Sequence, residues 1–171
     1  MKENIIACIC EGKAEHAIMD ILLENNSLRF ERHQLLDEKI LDIRSASKFE
    51  QQYLRKNFEN KITIYRVLDS RRENFKLSKL YINKVEVINV ITAPEIEMLI
   101  IHSENKYDAF KKTTMKPSDY CKQNLKLPDV KKYQFVREYF SDVEKLISAI
   151  RTYRSKASVQ RGEITLCDLL K

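Results

Sequence analysis

The sequence predicts an α/β fold: a mostly parallel sheet flanked by helices, followed by a helical C-terminal part. Three observations predict it. Apolar or β-branched runs of strand length occur at residues 5–10, 62–68 and 85–92, amphipathic segments fall between them, and beyond residue 105 strand patterning gives way to helical spacing. Strands that alternate with helices need crossover connections, and those make neighbouring strands parallel.

Ile-Ile-Ala-Cys-Ile-Cys at residues 5–10 stops at Glu11-Gly12, a turn signal. From Lys13 the apolar residues Ala14, Ala17, Ile18, Ile21 and Leu22 share one helical face, up to Asn25-Asn26. Residues 28–30 suit a short strand. Residues 35–58 read as polar helical segments that bury Leu36, Ile40, Ile43, Phe49, Tyr53 and Leu54. The β-branched run 62–68 ends at Asp69-Ser70. Phe75, Leu77, Leu80 and Tyr81 suit a short helix, and 85–92 a third strand. Pro94 suits the first turn of a helix carrying Ile96, Leu99 and Ile100. Residues 106–112, 117–125 and 130–154 read as helices, the last long and continuous, and the tail 162–171 is apolar enough to pack back. The expected organisation is a core over residues 1–104 and a helical extension over 105–171, packed together as a single domain.

At 171 residues the chain suits one domain, and 43% hydrophobic residues with two Gly and three Pro suit an ordered core. No stretch approaches the roughly 18 apolar residues of a membrane span. The opening run also meets Cys8 and Glu11 too soon for a signal peptide, so the expected location is cytoplasmic, away from membranes. The four cysteines include no C-x-x-C, and His16, His33 and His102 stand at no zinc-ligand spacing from them. The net charge of +6 concentrates in the C-terminal half, where Lys111, Lys116, Lys131 and Arg137 interleave with Tyr107, Tyr120 and Tyr133. Such a surface suits a phosphate backbone or plain solvation, and both readings stay open.

In an open parallel sheet the functional crevice lies at the carboxyl ends of the strands. Strand ends here deliver Glu11, then Asp69, then Glu95 and Glu97. Like charges gathered on one edge repel unless a cation sits among them, and hard oxygen ligands suit Mg²⁺ or Mn²⁺. Gly12, the only glycine before residue 162, permits a positive φ and a close backbone approach. Glu15, one turn into the helix, reaches the same place or serves the helix N-terminus.

Cys10-Glu11-Gly12-Lys13-Ala14-Glu15 after a strand resembles the E-G-x-x-E opening of Toprim domains, and Leu68-Asp69-Ser70-Arg71 sits where that fold carries its D-x-D strand end. Ala93-Pro94-Glu95-Ile96-Glu97, running into an apolar helix that ends in His102, resembles a segment of RloB-like and OLD-type Toprim nucleases of phage-defence loci. The resemblance covers residues 5 to 103. It implies a Toprim-like, Rossmann-like fold and metal-dependent phosphodiester hydrolysis of DNA or RNA. It also implies an effector role in antiviral defence alongside a partner ATPase, with homo-oligomerisation open. By position, Glu11 takes the general acid/base or metal role. Asp69 and Glu97 take the Mg²⁺, with Glu15 and Glu95 as helpers. Lys13, Lys111, Lys116 and Lys131 are the candidate nucleic-acid contacts. One residue departs from the pattern, since the second acid of D-x-D is Arg71, with Glu73 nearby as a substitute. That departure keeps a second reading in play, a non-catalytic Toprim-like module that binds nucleic acid or nucleotide or regulates a partner.

Overall fold

A computed structural model describes residues 4–55 and 60–171. Its centre is a parallel sheet of β1 (Ile5–Cys10), β2 (Ile62–Leu68), β3 (Val85–Ile91) and β4 (Glu163–Ile164), in that spatial order. The β-branched runs form these strands because both faces of the sheet are covered and alternate side chains enter different cores. Ile6, Cys8 and Cys10 join one hydrophobic cluster, Ala7 and Ile9 the other. The fold is thus α/β, with a four-stranded parallel sheet between layers.

The helix α1 (Lys13–Glu24) lays Ala14, Ala17, Ile18, Ile21 and Leu22 on the first face. The chain then returns along the free edge of β1, where Ile6 pairs with Leu35 and Ile9 with Leu41, both parallel. Leu41 N–H donates to the Cys8 carbonyl at 2.8 Å, and Cys10 N–H to the Leu41 carbonyl at 3.1 Å. Next, α2 (Ala46–Phe49), continued by a wider turn over Glu50–Leu54, packs Phe49, Tyr53 and Leu54 on the second face before β2 begins. The chain therefore leaves β1 to one side and comes back on the other. That makes the carboxyl end of β1, at Glu11-Gly12, a topological switch point, where open α/β sheets form their crevice.

After β3 come α3 (Met98–Ser103), α4 (Tyr107–Phe110), α5 (Pro117–Gln123), α6 (Tyr133–Tyr139) and α7 (Val143–Lys156), and after β4 the last helix, α8 (Leu166–Leu169). These helices bury Leu99, Ile101, Val136, Leu146, Ile150 and Leu166 in the same cluster as α1. No helix of the described residues is long and apolar enough to cross a membrane. All four cysteines are free.

Several expected elements differ from those observed. Residues 28–30 form no strand of the sheet. Leu28 makes a single antiparallel bridge to Leu170, and the Arg29 N–H reaches the Leu169 carbonyl, so this piece anchors the end of the chain. Residues 75–81 form no helix, because Phe75 and Leu77 enter the second core at alternate positions, as an extended strap does. The long C-terminal helix is two helices. Phe140 is buried at the break, and the Asp142 carboxylate accepts the Glu144 N–H, so a helix cap restarts the helix at Val143. A strand does occur beyond residue 105, since β4 follows the positive-φ Gly162 and pairs with Asn89 and Val90. Of the expected 35–58 helical stretch, residues 56–58 lie outside the described residues.

Candidate functional site

The register Cys10↔Val67 and Leu68↔Ile91 sets the three main strand ends level. Glu11 and Asp69 thus leave adjacent strands about 4.8 Å apart at one edge. After β3, Thr92 donates both its N–H and its hydroxyl to the Leu68 carbonyl, turning the chain back toward that edge and into Glu97. The result is a cleft of about 350 Å³ lined by Glu11, Glu15, Asp69 and Glu97 together with Arg44 and Lys131.

All four carboxyl groups resist ionisation there. Burial, then the facing carboxyl of Glu73 and the charge of Asp69, pushes Glu11 up to about 8 against the pull of Arg66. Burial raises Glu97 to about 7, although its own N–H and Lys131 act the other way. Glu15 and Asp69 are raised chiefly by burial as well. Glu11 Oε1 is buried with no hydrogen-bond partner among the described residues. A cleft that holds several carboxyl groups away from water and leaves one oxygen orphaned must take up protons or a cation.

Gly12 works differently from the sequence expectation. Its φ of −115° is extended backbone open to any residue. What glycine provides is space: a Cβ there would meet the Glu15 carboxylate, which folds back over the turn into the cleft and would have to move aside.

Glu95 is held apart from the other acids. It accepts the Ser118 N–H at 2.7 Å and faces Lys131 Nζ at 3.4 Å, and these contacts outweigh burial and keep its carboxyl below the usual range. It lines a neighbouring groove of about 750 Å³ that shares Asp69 with the acidic cleft.

Arg71 does not cancel Asp69. Its Nε lies 2.8 Å from Glu163 on β4, and its Nη2 donates to the Ser158 carbonyl. Glu73, in contrast, faces Glu11 and lies 3.7 Å from the buried Arg66, whose guanidinium sits 4.7 Å from the centre of the Phe75 ring. Glu73 thus stands beside Glu11, two residues beyond Arg71, but is not among the residues that line the acidic cleft.

The expected lysines separate. Lys13 and Lys131 line the acidic cleft, Lys116 the neighbouring groove, and Lys111 a third recess beyond it. Arg44 was not foreseen from the sequence. Its Nη2 donates to the Glu11 carbonyl at 2.7 Å. The one signal for it is position, three residues past Leu41 on the edge segment, and that segment reads as strand only once its pairing with β1 is known.

The donor chemistry suits a hard divalent cation, because every acid lining the cleft offers carboxylate oxygen and Glu11 Oε1 is free. Among the described residues no three His, Cys, Asp or Glu side chains are drawn together as a finished ligand set. Side-chain rotation from neighbouring strand ends would be needed to close one. Compared with protein-family models, with curated proteins and with solved structures, the chain finds no significant match.

Proposed function

We propose that this protein is a Toprim-like, metal-dependent phosphodiester hydrolase acting on nucleic acid. The observation that carries the reading is the cleft at the β1 switch point, which Glu11, Glu15, Asp69 and Glu97 line together with Lys131 and Arg44. Glu11, Asp69 and Glu97 would hold Mg²⁺ or Mn²⁺, which supplies charge neutralisation at the phosphate and an acidified water. The chain's own groups do the remainder. Lys131 and Arg44 offer the cations that dock a phosphate. Without a cation, burial and the neighbouring Glu73 and Asp69 push Glu11 up to about 8; a bound cation would lower it, leaving a carboxylate that serves as ligand or as general base. Glu15, folded over Gly12, adds a further carboxyl to the same cleft, while the charges against which Glu11 titrates are those of Glu73 and Asp69. Family context, an antiviral effector working with a partner ATPase, rests on the resemblance of the 5–103 motifs alone.

Labelled single- and double-stranded DNA and RNA, incubated with Mg²⁺, Mn²⁺ or EDTA, test the reading. Cutting should require metal and fall about 10²- to 10⁴-fold in Glu11→Gln. Absence of both cutting and calorimetric metal binding would leave the non-catalytic module, a reading that the lack of a closed ligand set among the described residues favours.

A further inference from the structure

Beyond the neighbouring groove lies a recess of about 350 Å³, walled by Pro94, Met98, His102, Tyr107, Phe110 and Tyr153. Its volume is that of a small-ligand pocket. The wall is built rather than incidental. His102 stacks on Tyr107 with centroids 4.8 Å apart and meets Tyr153 edge-on, while the Tyr153 hydroxyl is fixed by the Ala93 carbonyl at 2.7 Å. His102 is 5% exposed, and its Nε2 finds no hydrogen-bond partner among the described residues. Cations mark the rim. Arg71, Lys111 and Lys156 border the recess, and among the described residues Lys156 forms no ion pair.

The recess continues the acidic cleft. It shares Arg71, Ala93 and Pro94 with the middle groove, and that groove shares Asp69 with the cleft. Arg72 and Lys116 line the middle stretch. Acid cleft, basic groove and aromatic recess therefore form one trough.

We infer that the aromatic recess receives an unstacked nucleobase of a single-stranded nucleic acid whose backbone crosses Arg72 and Lys116 to reach the acidic cleft. The chemistry of each part matches: a flat apolar ring for the aromatic wall, a polar base edge for the orphaned imidazole, phosphates for the basic stretch. A duplex keeps its bases stacked and offers none to the recess. The inference rests on the hydrolase reading only for the direction of the strand, from recess to cleft.

The test is binding measured in EDTA, so that it does not depend on cleavage. Fluorescence anisotropy with a short labelled single strand, the matching duplex and the free mononucleotide separates the sources of a base. The single strand should bind most tightly and the duplex weakly. Tyr107→Ala should weaken single-strand binding about 5- to 100-fold, and Lys156→Ala, at an exposed position, should reduce the salt slope by about one ion. Equal affinity for strand and duplex, with neither substitution mattering, would overturn the inference. So would tight mononucleotide binding to which the rest of the strand adds nothing. Single-strand binding sensitive to Tyr107, without cutting in Mg²⁺, would keep the recess and sink the hydrolase; cutting with a recess that tolerates both substitutions would do the reverse.

Discussion

Two places along the carboxyl edge of the sheet gather charge, and they solve the problem in opposite ways. At the β4 corner Arg71 donates three hydrogen bonds of 2.8 to 3.1 Å to Glu163, and this hydrogen bonding holds the Glu163 carboxyl below its ordinary value. At the β1 switch point the cleft acids are held above theirs, with Glu11 near 8 and Glu97 near 7. The corner is balanced by the chain itself, as a structural ion pair is. The cleft is not balanced by the chain, and strained ionisation confined to a concave site is how binding and catalytic groups are tuned. The difference separates the two: the corner is an ion pair that fastens β4, and the cleft is where ionisation stays strained.

The largest effect that would break this contrast is on catalysis. Glu11→Gln keeps the shape of the side chain and removes its ability to ionise, so metal-dependent cutting should fall about 10²- to 10⁴-fold. The same substitution should alter the pH dependence of stability. A carboxyl whose folded value lies near 8 against an ordinary 4.5 keeps its proton better when folded, so its contribution is full below pH 4.5 and is lost as pH rises toward 8. Thermal melts without divalent metal should show stability falling across that window, less steeply in Glu11→Gln. An equal slope in both proteins would mean that Glu11 is not the strained group.

A cation should relieve the same strain. At about a hundred times its Kd, Mg²⁺ should add about 2.7 kcal/mol of stability, read as a rise in Tm of several degrees. Asp69→Asn combined with Glu97→Gln should abolish the rise, while Glu95→Gln should leave most of it, because Glu95 is already paired with Ser118 and Lys131. A rise surviving the double substitution would place the metal elsewhere.

The cleft was more legible in the sequence than the corner, for physical reasons. Glu11, Asp69 and Glu97 follow runs whose β-branched or apolar character marks strands unambiguously, and parallel strands bring their ends to one edge. Glu163 sits in a strand of two residues, too short for any periodicity, and its partner Arg71 lies far away in sequence. The strap of Phe75 and Leu77 reads as helix in the sequence because a few apolar residues fit either spacing until the core they enter is known. The break at Phe140-Ser141-Asp142 carries a cap residue, yet the apolar face continues across it, so spacing alone joins α6 to α7. Arg44 depends on an edge pairing written mainly by Leu35 and Leu41, which no pattern announces.

At the corner the expected effect is smaller and of opposite sign in pH. Glu163→Gln should cost about 0.2 to 1 kcal/mol, as partly exposed ion pairs do. Glu163 has a lowered carboxyl, so its contribution is present above the ordinary value of 4.5 and is lost as pH falls through the folded one. The loss in the variant should therefore be seen at neutral pH and vanish in acid, the reverse of the cleft. Identical deficits at both pH values would make the pair a packing contact rather than an electrostatic one.

Gly12→Ala should change stability least, because the backbone at φ −115° accepts a side chain and only the Glu15 carboxylate stands in the way. Alanine is a poorer helix cap than glycine, a cost of less than about 1 kcal/mol. What the new methyl group changes is the position of Glu15, which must swing out of the cleft toward water. Its charge then becomes easier to hold, and the Mg²⁺-dependent rise in Tm should shrink without disappearing. If Glu15 only serves the N-terminus of α1, the metal response of Gly12→Ala will equal that of the parent protein, and the close approach at this turn belongs to the helix rather than to the cleft.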